Sequence, residues 1–140
     1  MKTKTNLPPG YRPSDAEPFM NPKQREYFRR RLLEWRDNLL KESDMTLQHL
    51  QEESLQEPDV ADRASLETDR ALELRTRDRA RKLITKIDEA LERIEDGSYG
   101  YCIETQEPIS LRRLEARPIA TLSIEAQERH ERMEKLHRDE

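Results

Sequence analysis

One cysteine, Cys102, is the chain's whole supply of thiol, which excludes an internal disulfide and leaves a thiolate metal cage three ligands short. Hydrophobic residues make up 33% and aromatics 5%, so there is little material for a thick core, and an extended shape is expected. No apolar run approaches the roughly 18 to 20 residues that a bilayer span needs. Met1 to Gly10 lacks the apolar stretch of a secretory signal, so a cytosolic protein is expected. An excess of positive charge is missing too. With 26 basic and 30 acidic residues the net charge is -4, which argues against a DNA binder that works by neutralising phosphates. A protein partner is the better expectation.

Charge is what the chain has in abundance, at 40% of residues. Residues 1–20 carry Pro8, Pro9, Pro13 and Pro18 among polar neighbours and read as an extended or disordered arm. Asn21-Pro22-Lys23-Gln24 then supplies an N-cap, a proline at the first helical position and a capping-box glutamine. From there Phe28, Leu32, Trp35 and Leu39 form the narrow seam of a helix packed on one partner, weakening to Glu42, Thr46 and His49, with Leu47 and Leu50 as the nearest apolar anchors. Pro58 should end that helix. Leu66, Thr76, Ala80, Leu83, Ile87, Ala90 and Ile94 mark a second helix that should close at Gly97, flanked by Glu73–Arg77 and Asp78–Lys82 pairs. The fold class read from this pattern is mostly α. Residues 21–97 form a long antiparallel coiled-coil hairpin, with arms of about 33 residues and on the order of 50 Å, and its tip lies near 57–64.

The remainder reads as a small globular base over 98–121 and a C-terminal helix over 122–140. Tyr99, Tyr101, Ile103, Ile109, Leu111 and Leu114 surround a turn at Thr105–Pro108, and Ser123 is placed to cap the last helix, whose apolar stripe is Ile124, Ala126, Met133 and Leu136. The base also holds a pattern of absences. Cys102, Thr105, Ser123 and Ala126 stand at the C-x2-C-x17-C-x2-C interval of a zinc ribbon, yet three thiolates are missing. Zinc is therefore not expected, and His130 and His137, two helical turns apart, do not restore a site. Cys102 itself reads as a packed thiol with no resolving cysteine.

Asp59 and Asp62, in the run Glu57-Pro58-Asp59-Val60-Ala61-Asp62-Arg63-Ala64, fall at the turn, where a hairpin can enter another molecule's cavity. Their commonest use would be to cap the second helix. Catalysis is not expected: no nucleophile or second base is nearby, and an exposed tip cannot exclude water. Arg75, Arg77, Arg79, Arg81 and Lys82 concentrate positive charge but point in different directions, so bulk nucleic-acid binding is not expected.

Several stretches together resemble the DksA/TraR family of bacterial RNA-polymerase regulators. Asp59-Val60-Ala61-Asp62-Arg63-Ala64 matches its tip pattern D-x-x-D-x-A, and Leu72–Arg79 is similar to its second arm. Gly100-Tyr101-Cys102 is similar to the entry of its zinc module and Arg112–Pro118 to the segment between its cysteine pairs, so that the likeness spans roughly residues 20–137. The resemblance implies a hairpin inserted through the secondary channel of RNA polymerase, modulating initiation without binding DNA, in a cytoplasmic monomer of the stringent response. It implies Asp59, Asp62 and Ala64 as tip determinants, Arg79 as a contact to the polymerase rim, and Lys86 and Arg117 as positions for guanosine tetraphosphate, a third basic position being Gln127 here. The cysteine pattern resembles the family's zinc-independent members, in which apolar packing must substitute for metal. Two other functions stay open on the residues: a transcript-cleavage stimulator whose tip acids hold a second magnesium ion, and a structural coiled-coil adaptor.

Overall fold

A computed structural model describes residues 5–54 and 60–139, except for the side chains of Thr46, Leu50, Glu53, Ser54, Val60, Ala61, Asp62 and Asp139. Four helices follow in order: α1 (Pro22–Ser54), α2 (Val60–Asp96), α3 (Leu111–Ala116) and α4 (Ile124–Asp139). Tyr101 and Pro108 form an isolated antiparallel bridge, and among the described residues there is no strand. The chain divides into two compact units, one of residues 1–32 with 89–140 and one of residues 33–88.

α1 starts at the expected Pro22. The Asn21 side chain accepts the Gln24 N–H at 3.0 Å, as an N-cap should. The reciprocal half of the capping box is shifted by one residue. Gln24 Oε1 accepts the N–H of Met20 at 2.7 Å, while the Asn21 N–H turns to the Pro18 carbonyl at 3.3 Å. Gln24 also donates to the Ser14 carbonyl at 3.2 Å, and its side chain is wholly buried. One glutamine thus orders the arm, because a buried amide must find partners and the arm's backbone supplies them. The arm is correspondingly packed. Tyr11 meets the Tyr27 ring edge-on with centroids 6.1 Å apart, Phe19 meets Tyr101 at 5.4 Å, and Arg30 reaches the Thr5 carbonyl at 3.1 Å.

α2 ends where Gly97 was expected to close it. Gly97 has φ +86°, and the Ser98 N–H reaches back to the Arg93 carbonyl at 3.0 Å, the bond of a Schellman cap. Gly100, at φ +92°, is favoured by conformation and closely approached by the arm. A Cβ there would stand 3.1 Å from Met20 Cγ and 3.2 Å from Phe19.

Most of the buried apolar side chains belong to the first unit: all but Leu39, Ala80 and Ile87. Phe28 is fully covered and packs on Tyr27 and Tyr99 with ring centroids 5.2 and 5.6 Å away. Tyr99 donates to the Pro118 carbonyl at 2.8 Å, and burial raises its pKa. Tyr27 donates to Glu115 at 3.2 Å, and Arg31 donates to the Glu115 carbonyl at 2.8 Å, so that α3 is tied to α1. Two expected core residues differ: Ile103 is 63% exposed and Tyr101 half-buried, their places filled by Cys102, Ile119, Ala120 and Ala126.

In the second unit α1 and α2 run antiparallel. Arg36 pairs with Asp88 at 2.8 Å and His49 with Glu73 at 2.7 Å, so advancing along α1 means retreating along α2. The expected seam is kept at Leu39, Ala80 and Ile87, with Trp35, Leu47, Leu66 and Leu83 half-buried. Thr76 departs from it. It is exposed and bonds back to the Leu72 carbonyl at 3.0 Å, while Arg70, Glu73 and Arg77 take the half-covered face. Glu73 pairs with His49 rather than in the expected bridge with Arg77.

Candidate functional site

The predicted site residues are distributed over both units. Asp59 lies outside the described residues; Asp62 falls in the first turn of α2, and its side chain is likewise not described. Ala64, Arg79 and Lys86 are exposed on α2, and Arg117 is exposed at the C-cap of α3. Gln127 is half-buried and donates to Glu131 at 3.2 Å.

Helical register brings three of these residues onto one line. Positions 64, 68, 75, 79, 82 and 86 recur at spacings of four, seven, four, three and four, which keeps them on one face of an α-helix. All six are exposed. From Arg75 to Lys86 this face carries Arg75, Arg79, Lys82 and Lys86 over about 16 Å, and among the described residues none of the four is in an ion pair. The expectation that the basic residues of α2 cannot share a patch therefore holds only for the set first grouped. Arg77 and Arg81 point elsewhere, and Lys86 completes the face instead. The 4-3-4 spacing was the available signal; counting adjacent basic residues hid it.

The four positions at zinc-ribbon spacing do converge, and one of them carries a thiol. Cys102 is 1% exposed, Ser123 is 9% exposed, and Ala126 is wholly buried. Ser123 Oγ accepts the Ala126 N–H at 3.2 Å, the expected cap of α4. Around the sulfur the loop backbone remains folded: Cys102 N–H donates to the Glu107 carbonyl at 2.8 Å, and Gln106, at φ +62°, donates to the Cys102 carbonyl at 2.8 Å. Burial pushes the Cys102 thiol up. Hydrogen bonds from the Thr105 hydroxyl and from the amides of Ser123, Thr105 and Glu104 outweigh it and lower the pKa from 9.0 to about 6. Glu104, on the same turn, is also in contact with His130 of α4.

Comparison with known proteins identifies this arrangement. Residues 24–94 match the family model for the N-terminal domain of DnaK suppressor protein DksA, and residues 97–132 match the prokaryotic dksA/traR C4-type zinc finger. The chain belongs to the DksA family. It is 68% identical over 130 residues to a Caulobacter vibrioides protein named RNA polymerase-binding transcription factor DksA, covering 93% of this chain and 92% of that one. To the Escherichia coli protein of the same name it is 47% identical over 115 residues, covering 82% of this chain and 76% of the relative. Among solved structures, transcription factor DksA2 from Pseudomonas aeruginosa superposes with a TM-score of 0.79 at 46% identity, over 88% of this chain and 93% of that one. The mostly helical coiled-coil fold read from the sequence is the fold of this family.

The C4-type zinc finger of the DksA family asks for four thiolates, and this chain does not fit it. Thr105 and Ser123 offer hydroxyls that stay protonated near neutral pH, Ser123 is engaged as a cap, and Ala126 offers no donor. Among the described residues no group of three or more His, Cys, Asp or Glu side chains could hold a metal ion. The site's shape persists through apolar contact at Ala126 and hydrogen bonds at Cys102.

Proposed function

We propose that this chain is a transcription regulator, not an enzyme, that binds RNA polymerase directly. It acts by inserting the turn between α1 and α2 into the secondary channel, and so modulates initiation without contacting DNA. The observation that carries the reading is family membership at 68% identity over 93% of the chain, with relatives named as RNA polymerase-binding factors. The geometry supports it in two ways. In sequence, the start of α2 and the residue before it follow the D-x-x-D-x-A pattern from Asp59 to Ala64, and the exposed basic face of α2 leads back from Ala64 through Arg79 to Lys86.

In this reading Asp59, Asp62 and Ala64 act at the tip, and Arg79 contacts the rim of the polymerase. Lys86 and Arg117 take guanosine tetraphosphate at the polymerase interface, with Gln127 supplying one cation fewer to its phosphates. The protein works as a cytoplasmic monomer of the bacterial stringent response. The working division is a proline-rich arm over 1–20, a hairpin over 21–97, a metal-free base over 98–121 and a terminal helix over 122–140.

Asp62→Asn is the test. Asn caps a helix nearly as well as Asp, so the variant keeps its fold and its binding to core polymerase. It loses regulation of sensitive promoters in purified transcription reactions, because a charge at the inserted tip is gone. Unchanged repression by Asp62→Asn would reduce the acid to a cap and remove the proposed mechanism. A transcript-cleavage assay on arrested complexes separates this reading from a cleavage stimulator.

A further inference from the structure

We propose that the His49–Glu73 contact is a pH-operated clasp, drawing α1 and α2 together in the second unit as His49 takes up a proton. The argument starts from what fails to hold this stretch. Beyond Leu39 on α1 and before Ala80 on α2, none of the side chains described is buried, so among the described residues only half-covered Leu47 and Leu66 offer apolar contact there. Half-covered Ser43, Leu47, Arg70, Glu73 and Arg77 occupy the facing positions instead. Across that polar seam His49 Nδ1 meets Glu73 Oε1 at 2.7 Å.

The contact changes character within the physiological range, because histidine is the side chain whose charge ordinarily switches between about pH 5 and 8. Neutral, it contributes one hydrogen bond to a carboxylate. Protonated, the same geometry becomes a charge-assisted ion pair, which is roughly twice as strong. The other described charged groups near His49 do not reverse the sign. On α2, Arg70 and Arg77 flank Glu73 at i−3 and i+4 and oppose a second positive charge, but adjacent turns stand about 5–6 Å apart and Coulomb interaction falls with distance. On α1, Glu52 lies one turn onward at i+3 and Glu42 two turns back, and both favour the proton; Glu53, at i+4, has a side chain outside those described. The pair is also cross-helix, so its strengthening acts on the separation of α1 and α2 rather than on either helix alone.

The test is amide hydrogen exchange on the intact protein at pH 7.5 and 5.5, corrected for the intrinsic pH dependence of exchange. In the wild type, protection of residues 43–54 and 60–77 rises about two- to fourfold at the lower pH, the scale of an exposed ion pair. His49→Gln and Glu73→Gln each abolish the rise, while His137→Gln keeps it. A His49→Lys variant, charged at both pH values, shows the same protection at each. The proposal is overturned if the wild type shows no rise or if His49→Gln retains it. Neither result depends on the partner, so failure here leaves the polymerase reading standing.

Discussion

Replacing Cys102 by alanine measures what holds the base together. If a metal organised this site, removing a ligand would forfeit most of a binding energy of about 10–16 kcal/mol. A unit of this size has a total stability on the order of 4–13 kcal/mol, so it would unfold. The structure gives a smaller figure. Loss of one buried sulfur costs about 1–2 kcal/mol in transfer and cavity terms. Of the donors that face it, those of Glu104 and Thr105 sit on exposed residues and can turn to water, whereas the Ser123 amide is on a buried residue and would lose its partner, at about 1–3 kcal/mol. The sum is roughly 2–5 kcal/mol, a fall in Tm on the order of 10–20 °C with the fold retained. Far-UV circular dichroism melts of the wild type and Cys102→Ala, each with and without a strong chelator, read this directly. Chelator leaves both curves in place, because a ligand that is not bound stabilises nothing. A wild-type Tm that drops on chelation, or a Cys102→Ala chain already unfolded at 25 °C, would refute the reasoning.

The lowered thiol of Cys102 adds a pH signature. A group whose folded pKa lies below its unfolded value contributes stability fully above the unfolded value, here 9.0, and loses it as pH falls through about 6. The Tm gap between wild type and Cys102→Ala therefore widens from pH 6 to 9, and a flat gap in calorimetry would count against a held thiolate. Phe28→Ala, which empties a fully buried site between Tyr27 and Tyr99, costs about 3–5 kcal/mol in urea titration. Gln24→Ala strands the Met20 N–H and frees the Ser14 carbonyl, costing about 1–3 kcal/mol and opening the arm to limited proteolysis before the rest of the chain. Arg79→Glu reverses charge in the middle of the basic face of α2. It weakens binding to core polymerase about tenfold or more at low salt without moving Tm, with surface plasmon resonance as the measurement.

The helices were legible because their signals are local. Asn21-Pro22, Gly97, Ser123 and the three-four spacing of Phe28, Leu32 and Leu39 each act within a turn or two of chain, and the structure uses each of them. What sequence missed depends on contacts between distant segments. Nothing within a few residues of Gln24 says that its amide will bridge to Ser14, and so the arm read only as extended or disordered chain. Thr76 fitted a seam extrapolated from the apolar end. Where apolar residues run out, no burial energy enforces that register, and the half-covered positions pass to Arg70, Glu73 and Arg77.

The missing thiolates and the packing of the arm belong to one physical account. A base with one isolated β-bridge and a six-residue helix has little of its own with which to close a core, which is the usual reason that a small module recruits zinc. Here the closing groups come from elsewhere in the chain. Phe19 and Met20 of the arm press closely on Gly100, whose positive φ favours glycine, and Phe19 meets the ring of Tyr101 edge-on. Phe28 of α1 seals Tyr99. These contacts sit immediately before Cys102, on the segment that a metal would otherwise anchor. The arm and the start of α1 thus supply the constraint that thiolates supply in a four-cysteine module, so a truncation that removes residues 1–20 should destabilise the base more than the helix pair.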